Sequence, residues 1–244
     1  MSTTAYRWDA RQAAEDYDRA GPVIHPLYDE VQRAVVAALP EGVSHVVDLG
    51  GGSGRLAERI LATRPAAAVT VVDPSAAFLR LAAERLHRQA SRVRLVCSKA
   101  QDDWPGRVAP PGAIVSTSAL HHLEGEEKQA VFAACRAALP PGGVLVNGDE
   151  YRPPSDALYR GLLEEWGEHM DAAVATGAIP DTFRGVIDKW RRRNLGDFGG
   201  PRASGDDCHE TVEEQIARLY GAGFADVSVA FRERLWGVLV AQKA

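Results

Sequence analysis

Short apolar runs alternate with longer amphipathic segments along most of this chain. The apolar runs lie near 45–49, 69–73, 93–97, 113–117 and 143–147. Strands that are buried on both faces are apolar throughout, whereas the segments between these runs repeat apolar residues at helical spacing. Such alternation predicts right-handed βαβ units in a doubly wound, mostly parallel sheet. A ligand of this sheet is expected at the carboxyl ends of its strands.

Two regions depart from this alternation. The segment up to Leu39 has a helical apolar face and is predicted to pack across the mouth of the ligand site. Between Tyr151 and His209, two helical patterns precede a turn-rich stretch at 194–207, which predicts a lid over a substrate. The predicted units are a helical N-terminal cap (1–42), an α/β core (43–150), a helical lid insertion (151–209) and a segment that completes the core sheet (210–244).

A glycine-rich turn joins the first predicted strand to its helix. Asp48-x-Gly50-x-Gly52-x-Gly54 follows apolar residues and precedes a helical pattern. Glycines let the main chain approach a ligand, and the helix N-terminus then points free N–H groups at it. A phosphate-binding P-loop is excluded because Arg55 follows Gly54, and a dinucleotide fingerprint is disfavoured because Arg55 takes the place of its third small residue. A carboxylate before the turn favours a ligand with a positive charge.

A second acidic residue follows the next predicted strand. Asp73-Pro74 ends the run at 69–73, about twenty residues beyond the turn, where a carboxylate can bind ribose hydroxyls. Asp73 is also a candidate N-cap for the helix that follows, a role compatible with ribose binding.

With these motifs the chain resembles the class I S-adenosylmethionine-dependent methyltransferases of the small-molecule type. Segments 113–123 and 139–147 resemble the family's fourth strand with its turn and the entry to its fifth strand, and the resemblance covers about 12–150 and 209–243. It implies a Rossmann-like α/β fold with a doubly wound, mostly parallel sheet and an antiparallel C-terminal hairpin. It implies S-adenosyl-L-methionine as cofactor and methyl transfer to a small molecule by direct displacement at the methyl carbon.

The third strand departs from the family's pattern. Many relatives place an aspartate beside the adenine, and here Lys99 stands at that position. Adenine recognition then falls to backbone groups of Ala100 and Gln101, or to Asp102 or Asp103. The predicted cofactor-binding residues are Tyr17, Asp48, Gly50, Gly52, Gly54, Asp73, Pro74, Lys99, Ala100, Gln101, Ser116 and His121.

Four polar residues near the ends of the fourth and fifth strands are catalytic candidates. They are His121, Asn147, Asp149 and Glu150. His121 could face the cofactor, act as a base or be a hydrogen-bonded turn residue. A metal is not expected, because the side chains of adjacent residues diverge and no HExxH spacing follows His121 and His122.

Other conspicuous residues have simpler explanations. Arg191, Arg192 and Arg193 are expected to complement a helix dipole rather than bind an anion. Trp166 and Trp190 are expected in the core. Aromatic residues in the N-terminal segment could contact the sulfonium through an electron-rich ring face. These are Tyr6, Trp8, Tyr17 and Tyr28.

Composition narrows the partners and the compartment. The 244 residues carry a net charge of −5 with scattered basic residues, which disfavours nucleic acid. Three widely spaced cysteines predict a reducing, cytoplasmic location, and no apolar run predicts a membrane anchor. The expected partner is a small-molecule substrate, with the chain a monomer or homodimer in small-molecule or secondary metabolism.

Two other functions are compatible with the same motifs. The family's scaffold also hosts reactions that use this cofactor without transferring its methyl group. A lyase would cyclise S-adenosylmethionine itself to a small ring amino acid of the azetidine-2-carboxylate type and release methylthioadenosine, with Asn147 orienting the amine. A noncatalytic binding module is disfavoured by the intact acidic and glycine turn.

Overall fold

The computed structural model describes residues 10–244, and these form one seven-stranded sheet with helices on both faces. The helices are α1 (Arg11–Ile24), α2 (Tyr28–Ala37), α3 (Arg55–Thr63), α4 (Ala76–Arg85), α5 (Gly125–Ala138), α6 (Asp156–Ala175), α7 (Arg184–Arg191) and α8 (Val212–Gly221). The strands are β1 (His45–Leu49), β2 (Ala68–Asp73), β3 (Val93–Cys97), β4 (Ala113–Thr117), β5 (Val144–Glu150), β6 (Asp226–Glu233) and β7 (Trp236–Gln242). Short 3₁₀ turns at His87–Arg92, Pro105–Arg107, Leu120–His122 and Asp181–Phe183, and a π turn at Arg192–Gly196, complete the elements.

The sheet has the order β3-β2-β1-β4-β5-β7-β6. The first five strands pair in parallel, whereas β7 is antiparallel to both β5 and β6. The chain reverses its winding between β1 and β4, which are neighbours in the sheet although β2 and β3 lie between them in sequence. A crevice opens at such a switch point, outside the carboxyl ends of the strands. The predicted mixed sheet with an antiparallel C-terminal hairpin is confirmed.

Apolar residues bury both faces of the central strands. Val46 of β1 belongs to an apolar cluster that includes residues of α1, α2, α3 and α6, whereas Val47 and Leu49 belong to a second cluster that includes residues of α5 and α8. Successive side chains of a strand point to opposite faces, so a strand covered on both sides must be apolar at nearly every position. This is why the apolar runs located the strands closely.

Helix α1 is fixed between the glycine turn and α6. Asp18 accepts hydrogen bonds from Ser53 Oγ (2.5 Å), Arg55 Nε (2.8 Å) and Arg85 Nη2 (2.8 Å). At the other end of α1, Trp166 of α6 donates its indole N–H to the Ile24 carbonyl at 2.6 Å. Burial raises the pKa of Asp18, but the Ser53 and Arg55 hydrogen bonds outweigh it and lower that pKa. The N-terminal helix therefore forms a wall of the crevice.

The region between β5 and α8 is more ordered than its turn-rich sequence suggests. Helix α6 is continuous over 20 residues, Asp156–Ala175. The stretch expected to be loop begins with the π turn Arg192–Gly196, and Arg193 then pairs with Asp206 at 2.7 Å. Among residues 10–244, no helix is both long and apolar enough to cross a membrane.

Candidate functional site

The glycine turn takes the conformation that its sequence requires. Gly50 and Gly52 have φ of +73° and +52°, in the left-handed region that favours glycine. A Cβ on Gly50 would lie 2.6 Å from Ala119 Cβ, so no side chain fits there. A Cβ on Gly52 would meet no atom within 4 Å, so that side of the turn faces open space. The main chain can therefore contact a ligand at Gly52.

Asp48 lies directly beneath this turn and is fully buried. A Cβ on Gly51 would approach its Oδ2 to 2.6 Å, and within residues 10–244 neither carboxylate oxygen has a hydrogen-bond partner. Burial, with a smaller contribution from the Asp73 charge, raises the pKa of Asp48 to about 7. A buried, unpartnered carboxylate is costly, and a cationic ligand group nearby would offset the cost.

Asp73 fixes the far side of the turn. One carboxylate oxygen accepts the Gly52 N–H at 3.0 Å and the other accepts the Ser75 N–H at 2.8 Å. The N-cap of α4 is Ser75, whose Oγ accepts the Phe78 N–H at 3.1 Å. The expectation that Asp73 caps this helix was therefore wrong, because Ser75 lies two residues closer to the first free N–H groups. Asp73 instead joins the turn to the cavity wall.

Most of the predicted cofactor residues line one cavity of about 700 Å³. Its volume lies within the roughly 300–1,000 Å³ of small-molecule sites. Tyr17 on α1 enters it beside Phe78, with ring centroids 5.8 Å apart. The predicted cofactor residues that line the cavity are Tyr17, Gly50, Gly52, Asp73, Pro74, Lys99, Ala100, Gln101 and His121. Tyr28 also lines it, whereas Tyr6 and Trp8 lie outside the described residues.

Six predicted residues do not line the cavity: Asp48, Gly54, Ser116, Asn147, Asp149 and Glu150. Ser116 is buried and donates its hydroxyl to the Leu49 carbonyl at 2.8 Å. Asn147 lies three residues before the end of β5, where its amide donates to Tyr151 Oη at 3.1 Å. Gly54 caps α3 in the left-handed conformation. Ser116 and Asn147 lie one and three residues before the ends of their strands, so neither side chain reaches the open edge of the sheet.

His121 and two carboxylates form the polar centre of the opposite wall. Its Nδ1 lies 2.6 Å from Asp149 Oδ1 and 2.7 Å from Glu150 Oε2. Burial lowers the pKa of His121, but the Glu150 and Asp149 charges outweigh it and raise that pKa well above its usual value. Burial raises the pKa of Asp149. At Glu150 the His121 charge outweighs burial and lowers the pKa of the Glu150 carboxyl. Asp149 and Glu150 lie behind His121 and position its ring.

The segment 203–209 adds residues that the sequence did not predict. Cys208 N–H donates to the His121 carbonyl and Gly205 N–H to the His122 carbonyl, both at 2.8 Å. These bonds bring Asp207 and His209 beside His121. Burial, partly offset by the Asp207 charge, lowers the pKa of His209 to about 4. The clustered acids and histidine at 206–209 were the only signal, and their distance in sequence from His121 concealed their partner.

Charged and aromatic side chains join this wall to α6 and α7. The nearby His122, His209 and His121 charges outweigh burial and lower the pKa of Asp207 to about 2. Arg191 binds the Gly167 carbonyl at 2.6 Å, so it ties α7 to α6 rather than serving a helix dipole alone. Trp166 and Trp190 pack edge to face, 4.9 Å apart, and both also reach the cavity.

Comparisons with known proteins agree with this geometry. A sequence profile described as a methyltransferase domain matches residues 46–143. Trans-aconitate 2-methyltransferase of Paracidovorax citrulli is 30% identical over 189 residues, 77% of this chain and 66% of that protein. An uncharacterized methyltransferase of Geobacillus kaustophilus is 32% identical over 162 residues, 63% of this chain and 70% of that protein. The chain belongs to the class I S-adenosylmethionine-dependent methyltransferases.

A solved structure shows the same fold. Human N-acetylserotonin methyltransferase in complex with S-adenosylmethionine superposes with a TM-score of 0.58 at 16% identity, over 96% of this chain and 54% of that one. The chain therefore spans only about half of this structural neighbour and 66% of the P. citrulli protein.

S-adenosylmethionine is the cofactor of this methyltransferase-family chain, and the site fits it. The open face of Gly52 suits close backbone contact and Asp73 lies where ribose hydroxyls are bound, whereas Asp48 is fully buried behind Gly51 and does not line the cavity.

Proposed function

We propose that this protein transfers the methyl group of S-adenosylmethionine to a small molecule. One observation carries the proposal: the glycine turn with Asp73 and the His121 cluster line the same cavity. The bound sulfonium already contains its leaving group, so the protein's main tasks are to align the acceptor with the methyl carbon and to exclude water. Residues of α1, α7 and segment 203–209 surround the acceptor side and serve the second task.

The cavity wall supports a small acceptor with both apolar and polar parts. Phe183, Ile187 and Met170 supply apolar surface, while Trp190 Nε1 and Asn194 Oδ1 have no hydrogen-bond partner among residues 10–244. An indole N–H and an amide oxygen of this kind can bind polar groups of the acceptor. The names of two relatives, trans-aconitate and N-acetylserotonin methyltransferases, also point to small-molecule acceptors.

His121 is the polar group that faces the acceptor in this proposal. Asp149 and Glu150 hold its Nδ1, so Nε2 is the nitrogen left for other partners. Sequence reasoning placed Asn147 beside it as a catalytic candidate, but the Tyr151 hydrogen bond engages that amide away from the cavity. Asp149 and Glu150 are positioning residues.

Mass spectrometry of the reaction tests the proposal. The purified chain is incubated with S-adenosylmethionine, first alone and then with a panel of small hydroxylated, carboxylated and amine acceptors. We expect no turnover alone, and S-adenosylhomocysteine in equal amount to a methylated product with a suitable acceptor. Methylthioadenosine with a ring amino acid from the cofactor alone would establish the lyase instead. Calorimetry that detects no cofactor binding would leave a noncatalytic module.

A further inference from the structure

The cavity wall around His121, opposite the glycine turn, is called the acceptor wall below. It brings together three side chains with ligand atoms for a metal. His121, His122 and Asp207 each offer one ligand atom, and these atoms all lie within 4.8 Å of one another. The adjacent histidines do not diverge as the sequence argument assumed, because the single 3₁₀ turn at Leu120–His122 brings their ring centroids to 4.0 Å. All three residues line the cavity.

The separations between Asp207 and the two histidines are compatible with metal ligands as well as with ion pairs. Asp207 Oδ1 lies 3.8 Å from His121 Nε2 and 3.5 Å from His122 Nδ1, which is longer than an ordinary hydrogen bond. Two ligands about 2.1 Å from one ion in a tetrahedral arrangement lie roughly 3.4 Å apart. The two Asp207–histidine separations are therefore close to those that a single ion would require, and the two histidine nitrogens lie within 4.8 Å of each other.

The surrounding hydrogen bonds orient the ligands as they do in metal sites. A metal-binding histidine usually donates its other ring N–H to a carboxylate, and His121 Nδ1 faces Asp149 at 2.6 Å. Asn194 donates to Asp207 Oδ2 at 2.7 Å, which leaves Oδ1 toward the histidines. His122 Nδ1 also lies 3.2 Å from the Asp206 carbonyl, so metal binding requires the tautomer with its proton on Nε2.

A second group of candidate ligands overlaps the first. His121, Glu150 and His209 also place ligand atoms within 4.8 Å of one another. Glu150 Oε1, however, already accepts from Ser118 Oγ at 3.0 Å and from Trp236 Nε1 at 3.1 Å. His209 Nε2 has no hydrogen-bond partner within the described part of the chain, so it stays available at the edge of the cluster. The cavity-facing set is therefore the stronger one.

We propose that His121, His122 and Asp207 bind one divalent transition-metal ion at the acceptor side of the cavity. Two imidazoles and a carboxylate suit Zn²⁺, Fe²⁺ or Mn²⁺, whereas Mg²⁺ and Ca²⁺ prefer all-oxygen sites. Three protein ligands leave coordination positions open toward the cavity, where an acceptor oxygen can bind. Metal binding itself does not depend on the proposed methyl transfer; only the ion's role toward the acceptor rests on it.

Metal titration of the whole chain, without a polyhistidine tag, tests this proposal. After chelation and dialysis, Zn²⁺ is titrated calorimetrically and Co²⁺ is followed by its visible absorption bands. We expect one ion per chain, with affinity lowered at least a hundredfold in His122→Ala and in Asp207→Asn. His87→Ala removes an exposed histidine outside the cavity and should bind like the original chain.

S-adenosylhomocysteine binding, measured on every sample, separates the possible failures. A variant that no longer binds the metal but still binds S-adenosylhomocysteine is folded, so its loss of metal binding supports the site. Lack of stoichiometric metal binding by the original chain, or binding retained in both site variants, would overturn the metal site and leave the methyltransferase proposal intact. Loss of nucleoside binding by the original chain would instead count against the proposed function, whatever the metal does.

Discussion

The two walls of the cavity are built in different ways. The cofactor wall consists of strand ends close in sequence, and much of it is backbone: the glycine turn follows β1, and Asp73 is the last residue of β2. The acceptor wall consists of side chains from α1, α6, α7, the 120–122 turn and segment 203–209. A backbone-built wall is determined by local sequence, whereas a wall of side chains from distant segments can change its substrate without changing the fold.

Replacement of His121 should cause the largest effect and affect only the acceptor wall. We expect His121→Ala to lower turnover by about 10²–10⁴-fold, the range for loss of a positioned catalytic group. Cofactor affinity should stay within about threefold, because the turn and Asp73 are unchanged. Steady-state kinetics and calorimetry measure the two quantities, with His87→Ala as control. Equal losses of turnover and of cofactor affinity would mean that His121 also contributes to cofactor binding.

Asp48 offers a test of the cofactor wall through stability. Its pKa is raised to about 7 in the folded chain, so between about pH 4 and pH 7 the folded state keeps a proton that the unfolded state has lost. The original chain therefore loses stability as pH rises through this window. Asp48→Asn has no such proton to lose, and above pH 7 it should be more stable by on the order of 4 kcal/mol.

Urea unfolding at pH 4.5 and pH 8, without cofactor, measures this difference. We expect a small gain at the lower pH and the full gain at the higher one, together with weaker S-adenosylmethionine binding. Asp226→Asn, at an exposed strand position, should show neither effect. A variant less stable than the original chain at pH 8 would show that Asp48 is better satisfied than its surroundings indicate.

Replacement of Asp73, on the same wall, should weaken cofactor binding. Asp73→Ala removes the acceptor of the Gly52 and Ser75 N–H groups and the proposed ribose ligand. Hydrogen bonds to a charged group contribute about 1.5–3 kcal/mol, so the Kd for S-adenosylhomocysteine should rise about 10–100-fold. Calorimetry measures this change, and a Kd within twofold of the original would remove Asp73 from the ribose site.

The smallest effect is expected where the two walls meet. The Tyr17 hydroxyl lies 3.3 Å from His25 Nε2, while its ring packs on Phe78 and Phe183. Tyr17→Phe keeps the ring and should change cofactor Kd by less than threefold, whereas Tyr17→Ala should weaken it about tenfold through lost ring contacts. Unchanged affinity in both variants would exclude contact between Tyr17 and the sulfonium.

The accuracy of the sequence predictions follows the same division. The five parallel strands were located within a few residues, because double burial leaves a continuous apolar run. Asn147 was placed near the ligand because a strand pattern does not show how far the open edge lies, and β5 extends to Glu150. The expectation that no metal binds rested on residue spacing alone and stays a prediction; the metal site proposed above depends on Asp207, which that spacing did not include.

The sequence by itself determined the fold, the family and the cofactor turn. Asp48, Gly50, Gly52 and Asp73 encode that turn locally, through apolar strands, residues free to take positive φ and acids at strand ends. Only the tertiary structure decided which side chains face the acceptor. Asp207 reaches His121 through backbone pairing between segments about eighty residues apart, reinforced by buried Lys128, which donates to the Cys208 carbonyl at 2.5 Å. Such long-range contacts depend on packing and leave no periodic signal in the sequence.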